Sequence, residues 1–165
     1  MAEKTEQVRL AITIFDDLER LWTTVLALLR NGLTVEQICL MAADTTMQKV
    51  RPPETIDADE ADRNRLSGLC ETVESWPGAI DGHLVVATSG PLLDTLRATR
   101  TFEATAETKP RVFTSRGENL LEPVANGATV LVVRSLEAKQ QSLVTRTLLS
   151  SSVHRVTTHD FSAPA

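Results

Sequence analysis

The sequence is poor in aromatic residues: it contains no tyrosine, and aromatic residues make up only 4% of the 165 positions. A row of exposed rings on which nucleic-acid bases could stack is therefore not available. Cations are also in the minority, with 17 lysines and arginines against 22 acidic residues and a formal net charge of −5. Because affinity for nucleic acids depends on clustered cations that contact phosphates, the composition argues against a nucleic-acid partner.

Cysteines and long apolar runs are scarce as well. The two cysteines, Cys39 and Cys70, form no CxxC pair, and we interpret them as buried thiols in a reducing compartment. No apolar run approaches the ~18 residues that a membrane span requires. The polar stretch 1–7 does not have the apolar region of a secretory signal. We therefore expect a cytoplasmic protein that has no membrane partner.

Residues 8–42 have the pattern of a strand, a helix and a second strand. The segment opens with apolar residues at every second position, which predicts a strand. Asp16 and Asp17 follow as candidate helix caps, and an apolar stripe at helical spacing comes next. Gly32 is placed to end the helix, and 35–42 is predicted to be the second strand.

Residues 129–161 repeat this order near the C-terminus. The apolar run 129–133 predicts a strand, Ser135 is a candidate helix cap, and an apolar helical face follows it. Three consecutive serines, 150–152, predict a turn before a closing strand over 153–160. The two halves share an order of elements but few identical residues.

Two βαβ halves predict a single α+β domain with the ferredoxin-like two-layer sandwich. In that arrangement the first strand of each half is central, and the second strand lies at an edge of the sheet. The second strands carry the more polar residues, such as Glu36, Gln37 and His159. Polar residues are typical of exposed sheet edges, and we therefore expect both second strands to be edge strands.

The long insertion 43–128 separates the two halves. A loop of this length rarely lacks secondary structure of its own. Its apolar patterns and its Pro and Gly positions predict the following elements: a helix over 58–76, a strand over 83–88, a helix over 91–99, a hairpin within 102–115 around Lys109-Pro110, and a helical piece over 120–126.

The turn after the strand over 83–88 is a candidate ligand site. Thr88, Ser89 and Gly90 would place small polar residues and backbone N–H groups at a helix start, where a phosphate or carboxylate is favoured. Arg111 or Arg116 could help to neutralise such an anion. The alternative is that Ser89 is only a helix cap, since neither a P-loop nor a dinucleotide-binding glycine pattern surrounds it.

The sequence offers no catalytic or metal-binding constellation. No serine has the G-x-S-x-G surroundings of a nucleophile elbow. His154 and His159 are five residues apart on a predicted strand, which sends their side chains to opposite faces. The acidic segment 57–62 lacks the glycine and glutamate positions of a calcium loop. We therefore expect no catalytic residue, no metal and no cofactor.

One face of the predicted sheet is apolar without an evident cover. Ala11, Thr13 and Phe15 are predicted to point away from the helices, and Met41 is predicted to continue their face. Apolar patches of this kind usually mark an interface. Either the insertion or a second copy of the chain covers the patch, and we predict a homodimer through these four residues.

The segments 10–29 and 127–159 resemble the small bacterial heat-induced or general stress protein domains, whose molecular role is unassigned. Those domains open with a strand, a short acidic turn like Phe15-Asp16-Asp17, and an amphipathic helix. They close with a glycine followed by an apolar strand, a helix and a last strand that carries a histidine, similar to Gly127 through His159. The resemblance implies a fold and a stress context, and it implies no catalytic residue.

These observations lead to two hypotheses about function. The first is a non-catalytic binding or regulatory module that acts as a homodimer. The second is an enzyme or sensor that binds a small anion or nucleotide at the Thr88-Ser89-Gly90 turn, with help from Arg116.

Overall fold

The computed structural model describes residues 5–50, 59–69, 72–80, 82–88, 100–102, 108–110, 121–135, 137–151 and 156–164. In chain order the elements are β1 (Thr5–Phe15), α1 (Leu18–Arg30), a 3-10 turn (Val35–Gln37), β2 (Ile38–Ala43), α2 (Asp44–Met47), α3 (Glu60–Gly68), β3 (Thr72–Ile80), β4 (Gly82–Thr88), β5 (Arg100–Phe102), β6 (Thr108–Pro110), α4 (Leu121–Ala125), β7 (Thr129–Ser135), α5 (Ala138–Ser151) and β8 (Thr157–Pro164). No helix in this part of the chain combines the length and apolar character that crossing a bilayer demands.

Six strands form one sheet in the order β3-β4-β2-β7-β1-β8, and every neighbouring pair is antiparallel. Each predicted half encloses a strand of the other half: β7 lies between β1 and β2, and β1 lies between β7 and β8. β1 is therefore parallel to β2, and β7 to β8, across the strand between them. The predicted α+β class, with an antiparallel sheet and helices, is confirmed.

The first half folds largely as its local sequence predicts. The Asp17 carboxylate caps α1 by accepting hydrogen bonds from the backbone N–H groups of Glu19 (2.9 Å) and Arg20 (3.4 Å). Gly32 has a φ of +98°, a conformation that glycine adopts without steric cost and that ends the helix. The second strand starts at Ile38 rather than at residue 35, because Val35–Gln37 form a 3-10 turn.

The second half differs from the prediction at both ends of its helix. Ser135 is the last residue of β7 and is fully buried, so it does not cap the helix. α5 instead starts after Glu137, whose carbonyl accepts a hydrogen bond from the backbone N–H of Gln141 (2.8 Å). Ser150 and Ser151 belong to the last turn of α5 rather than to a turn between elements.

The position of β2 also differs from the prediction. β4 of the insertion pairs with β2, placing Leu40 opposite Ala87, so β2 is an interior strand and not an edge. Glu36 and Gln37, which were expected on an exposed edge, lie in the 3-10 turn. The Gln37 side chain donates hydrogen bonds to the Arg134 carbonyl and to Gln140 (3.0 Å each), and thereby ties this turn to the second half.

The predicted helix over 58–76 is wrong beyond Gly68. α3 ends there, and β3 starts at Thr72 and pairs with β4. Glycine weakens a helix, and β-branched residues such as Thr72 and Val73 favour a strand. Pairing with β4 therefore outweighs the helical spacing of the apolar residues.

The other elements predicted in the insertion have mixed outcomes. β4 occupies Gly82–Thr88, where a strand was expected. β5 and β6 form the hairpin, but Lys109 and Pro110 lie within β6 and not at its turn. α4 covers most of the helical piece expected over 120–126. The helix expected over 91–99 lies outside the described residues.

The apolar core lies between the sheet and the two long helices. Its members share nearly complete burial. They come from α1, α3, α5, one face of β1, β2 and β7, and three residues that follow helices α1, α2 and α3. The core residues are Ala11, Phe15, Leu21, Trp22, Val25, Leu26, Leu28, Leu29, Leu33, Ile38, Leu40, Val50, Leu66, Leu69, Leu131, Val133, Val144 and Leu148. α5 lies against β1, β7 and α1.

The predicted dimer face is buried within a single chain. Ala11, Thr13 and Phe15 are at most 3% exposed, and Ala11 and Phe15 pack in the core beneath the helices. Met41 is in register with Val130, which puts it on the opposite face, and it is fully buried. The prediction of a common exposed face is therefore wrong. The alternation of residues along a strand defines two faces but does not say which one the helices cover.

The opposite face of the central strands is covered as well. Its described apolar residues are at most 6% exposed, and α4 lies against β2 and β3. These residues are Leu10, Ile12, Ile14, Cys39, Met41, Val130 and Val132. The central strands therefore offer no free apolar face to a second copy.

Candidate functional site

The residues predicted to bind an anion fall at the limit of the described chain. Thr88 is the last residue of β4, where it pairs with Thr72. Ser89, Gly90 and Arg116 lie outside the described residues. The ligand site at this turn therefore stays a prediction.

The outer surface of α5 carries exposed side chains next to buried ones. Val144 and Leu148 point into the core and are fully buried. The next residue, Leu149, is 62% exposed, and it is the one exposed large hydrophobic residue among those whose side-chain burial the structure describes. A single exposed leucine is ordinary on a protein surface, so its meaning depends on its neighbours.

Leu149 lies in a groove of about 670 Å³ between α5 and β1, which we call the arginine groove. Its other lining residues are polar and include two arginines: Arg9, Ser142, Thr145, Arg146 and Ser150. The α5 members follow one another at intervals of three and four positions, which aligns them along one side of the helix.

The polar groups of the arginine groove favour an anion. Arg9 and Arg146 supply guanidinium groups, and none of the described residues that line the groove is acidic. The Ser150 hydroxyl donates a hydrogen bond to the carbonyl of Arg146 (2.5 Å). Within the described chain, no hydrogen bond engages the hydroxyls of Ser142 and Thr145. These two hydroxyls are therefore in a position to donate to a ligand oxygen.

A buried polar atom lies beside the β1 end of this groove. Ser135 is directly opposite Arg9 in the β1–β7 register, and paired residues of antiparallel strands have their Cβ atoms about 5 Å apart. The Ser135 hydroxyl is fully buried and has no hydrogen-bond partner among the described residues. Buried hydroxyls are nearly always hydrogen-bonded, so this one adds a polar group in need of a partner.

A second groove, of about 480 Å³, adjoins the arginine groove at Ser150. It is lined by Asp17, Glu19, Arg20, Thr23, Thr24, Ser150 and Ser151. Several of its polar atoms already have partners. The Asp17 carboxylate caps α1, and the hydroxyls of Thr23 and Thr24 donate to the carbonyls of Glu19 (2.9 Å) and Arg20 (2.8 Å). This groove therefore has fewer free groups for a ligand than the arginine groove.

The strongest charge cluster among the described residues holds two helices together. Asp62 on α3 is 5% exposed and forms ion pairs with Arg30 at the end of α1 (3.1 Å) and with Arg65. Burial acts to raise the pKa of Asp62, but hydrogen bonds and charge from Arg30 and Arg65 outweigh it and hold that pKa below its ordinary value. The cluster connects α3 to α1 and lines neither groove.

Other candidate reactive groups have no partners for chemistry in this part of the molecule. Burial raises the pKa of the Cys39 thiol far above its ordinary value, which disfavours the reactive thiolate. Among the described residues, no three His, Cys, Asp or Glu side chains come together in a way that could hold a metal ion.

The arginine groove was not found by the sequence interpretation, which followed only the apolar stripe of α5. A second stripe of Ser142, Thr145, Arg146 and Leu149 was visible at the same helical spacing. The contribution of Arg9 was not visible, because it depends on strand register. Comparison of the chain with family models, with curated proteins and with solved structures found no match.

Proposed function

We propose that this chain is a non-catalytic binding module that takes a small anion, with a phosphate or carboxylate group, in the arginine groove. One observation carries the proposal: Arg9 and Arg146 both line one groove, whose other described lining residues are three hydroxyl side chains and Leu149. Arginine is well suited to this role because its planar fork of N–H groups matches phosphate and carboxylate oxygens. The hydroxyls of Ser142 and Thr145 support it as further donors.

The proposal includes the finer fold prediction, a ferredoxin-like sandwich formed by the two halves. Its support is the order β8-β1-β7-β2 within the sheet, with α1 and α5 on one face. The insertion extends this arrangement through β4 and β3. The stress context belongs to the proposal only through the resemblance of the two halves to stress protein domains.

Isothermal titration with inorganic phosphate in a phosphate-free buffer tests the proposal. We expect binding to the unmodified chain and a loss of about tenfold or more in affinity for Arg146→Gln, since a hydrogen bond to a charged group is removed. Lys139→Gln is the matched control, because Lys139 is an exposed cation on the same helix outside the groove. Equal affinities for the two variants would reject the groove as the site.

The Thr88-Ser89-Gly90 turn is the second candidate for the same ligand. Its support is that β4 occupies Gly82–Thr88, the strand that was predicted to lead into the turn. Gly90→Val and Arg116→Gln distinguish the two candidates. If these variants lose phosphate and Arg146→Gln retains it, the turn is the site. Thermal shift gives a parallel readout, since a ligand at 100 times its dissociation constant stabilises the fold by about 2.7 kcal/mol.

A further inference from the structure

The arginine groove changes in chemical character along α5. Ser142, Thr145 and Arg146 place two hydroxyls and a guanidinium toward the N-terminal part of the helix. Leu149 follows Arg146 by three positions, so it lies on the same side of the helix and about 4.5 Å further along the axis. The groove therefore has hydrogen-bond donors in one part and an apolar side chain in the next.

The two arginines of the groove are not equally available to a ligand. Arg9 already takes part in an interaction within the chain, and it is opposite Asp160 in the β1–β8 register, where opposite charges attract one another. The Arg146 side chain is exposed, and its guanidinium has no hydrogen bond or ion pair with any described residue. Arg146 is therefore the cation with which a ligand in this groove can pair.

A single available guanidinium favours a singly charged group. The planar fork of N–H groups in arginine matches the two oxygens of a carboxylate in a bidentate pair. A phosphate monoester has a second pKa of about 6 and carries a second negative charge near neutral pH. Arg146 neutralises the charge of a carboxylate, whereas the second charge of a phosphate would have no available cation in this groove.

Leu149 gives an apolar extension of the ligand a surface to contact. Its side chain is 62% exposed, and removal of apolar surface from water is favourable. The other described lining residues are arginines and hydroxyl side chains, so Leu149 is the apolar contact that the groove provides. A chain attached to a carboxylate on Arg146 therefore gains most by lying across Leu149.

The surface beyond Leu149 disfavours a second negative charge on the ligand. The arginine groove adjoins the second groove at Ser150, and that groove is lined by Asp17 and Glu19 with Arg20 as its described cation. A carboxylate at the far end of the ligand would lose the apolar contact with Leu149. It would also approach a groove in which carboxylates outnumber guanidinium groups.

We propose that the ligand of the arginine groove is a short aliphatic monocarboxylate, with its carboxylate on Arg146 and its chain across Leu149. This inference rests on the proposed function, because it names the class of anion that the groove takes. The carboxylate oxygens accept hydrogen bonds from the guanidinium and from the hydroxyls of Ser142 and Thr145.

A titration of the isotope-labelled full chain, followed by the NMR shifts of its backbone amides, tests this ligand class with three probes. Acetate has the carboxylate without the chain, hexanoate has both, and adipate has the length of hexanoate with a second carboxylate. We expect hexanoate to bind about tenfold more tightly than acetate, since the groove partly buries its additional methylene groups. Adipate should bind about fivefold more weakly than hexanoate, and shifts should concentrate in 142–150.

Two exposed positions of α5 separate the head of the ligand from its chain. Leu149→Ala should reduce the advantage of hexanoate over acetate to about threefold or less and leave acetate binding unchanged. Arg146→Gln should weaken hexanoate and acetate alike by about tenfold or more. Lys139→Gln, which removes an exposed cation outside the groove, should change neither. Circular dichroism should be unchanged in all three variants.

The outcomes distinguish this inference from the proposed function. If phosphate and acetate bind through Arg146 but hexanoate binds no more tightly than acetate, this inference is overturned and the proposed function stands. An advantage of hexanoate that survives Leu149→Ala, or adipate binding as tightly as hexanoate, also overturns the inference alone. If neither the carboxylates nor phosphate shift the amides of the groove, both proposals are overturned.

Discussion

The two long helices occupy equivalent places in the two halves of the fold but are used differently. α1 buries seven of its thirteen residues, and α5 buries only Val144 and Leu148 of its fourteen. Both helices pack on the same face of the same sheet. The difference therefore comes from what surrounds each helix: α1 contacts both α3 and α5, whereas α5 has one side lined by the arginine groove.

This comparison separates a helix that holds the fold together from one that also presents a surface. Residues such as Trp22 and Leu28 in α1 are fully buried, and their substitution would disturb the core. A binding surface requires polar side chains that solvent and ligand can reach, and α5 provides them in Arg146, Thr145 and Ser142. A stability experiment can therefore distinguish the two sides of α5.

The largest expected effect is the difference in stability between alanine substitutions at two adjacent leucines of α5. Leu148→Ala should lower the free energy of unfolding by about 2 to 5 kcal/mol, because the side chain is fully buried and a cavity remains. Leu149→Ala should change it by less than about 0.5 kcal/mol, as is usual for exposed positions. Urea denaturation measures both values. Comparable losses would show that Leu149 is packed, and would remove it from the proposed surface.

A smaller effect is expected at the start of each helix. Asp17→Ala should destabilise the protein by about 1 kcal/mol, since the N-cap carboxylate accepts hydrogen bonds from two backbone N–H groups. Glu137→Ala at the start of α5 should cost less, because only the Glu137 carbonyl forms a hydrogen bond there. Urea denaturation of the two variants gives the comparison. An equal loss would indicate that the Glu137 side chain also caps its helix.

The elements that the sequence predicted well are those that local patterns determine. The alternation in β1, the carboxylate of Asp17 and the glycine at position 32 all act within a few residues of themselves. The prediction was wrong where a partner distant in sequence decides the outcome. Pairing with β4 turned 72–80 into a strand and β2 into an interior strand, and pairing with β1 extended β7 through Ser135.

The candidate site was less predictable than the fold for the same reason. Arg9 and Arg146 are brought together by packing of α5 on the sheet, and neither residue belongs to a local motif. The side of α5 that holds Arg146 has a helical spacing that the sequence does show, so half of the groove could have been found. The predicted dimer face was wrong because apolar residues occupy both faces of the central strands, and both are buried.

The smallest expected effect concerns the ion pairs that connect α3 to α1, in which no residue of α5 takes part. Arg30 and Arg65 are about half exposed, with side-chain exposures of 49% and 45%, so solvent screens much of their interaction with Asp62. Asp62→Asn should therefore lower the free energy of unfolding modestly at neutral pH. The lost stability should come from a weaker contact between α3 and α1. Phosphate binding in the arginine groove should not change.

The contribution of Asp62 to the free energy of unfolding should decrease as the pH is lowered. The pKa of Asp62 is lower in the folded chain than its ordinary value of 3.8, so the folded state binds fewer protons near that pH than the unfolded state does. The stabilisation is complete above pH 3.8 and is lost as the pH falls through the lower pKa of the folded state.

Urea denaturation over this pH range measures the difference in unfolding free energy between the unmodified chain and Asp62→Asn. We expect this difference to become smaller as the pH is lowered. In an Arg65→Gln background the pH-dependent part should be smaller. A difference that stays constant down to low pH would mean that Asp62 contributes through packing, and that the α1–α3 contact does not depend on its charge.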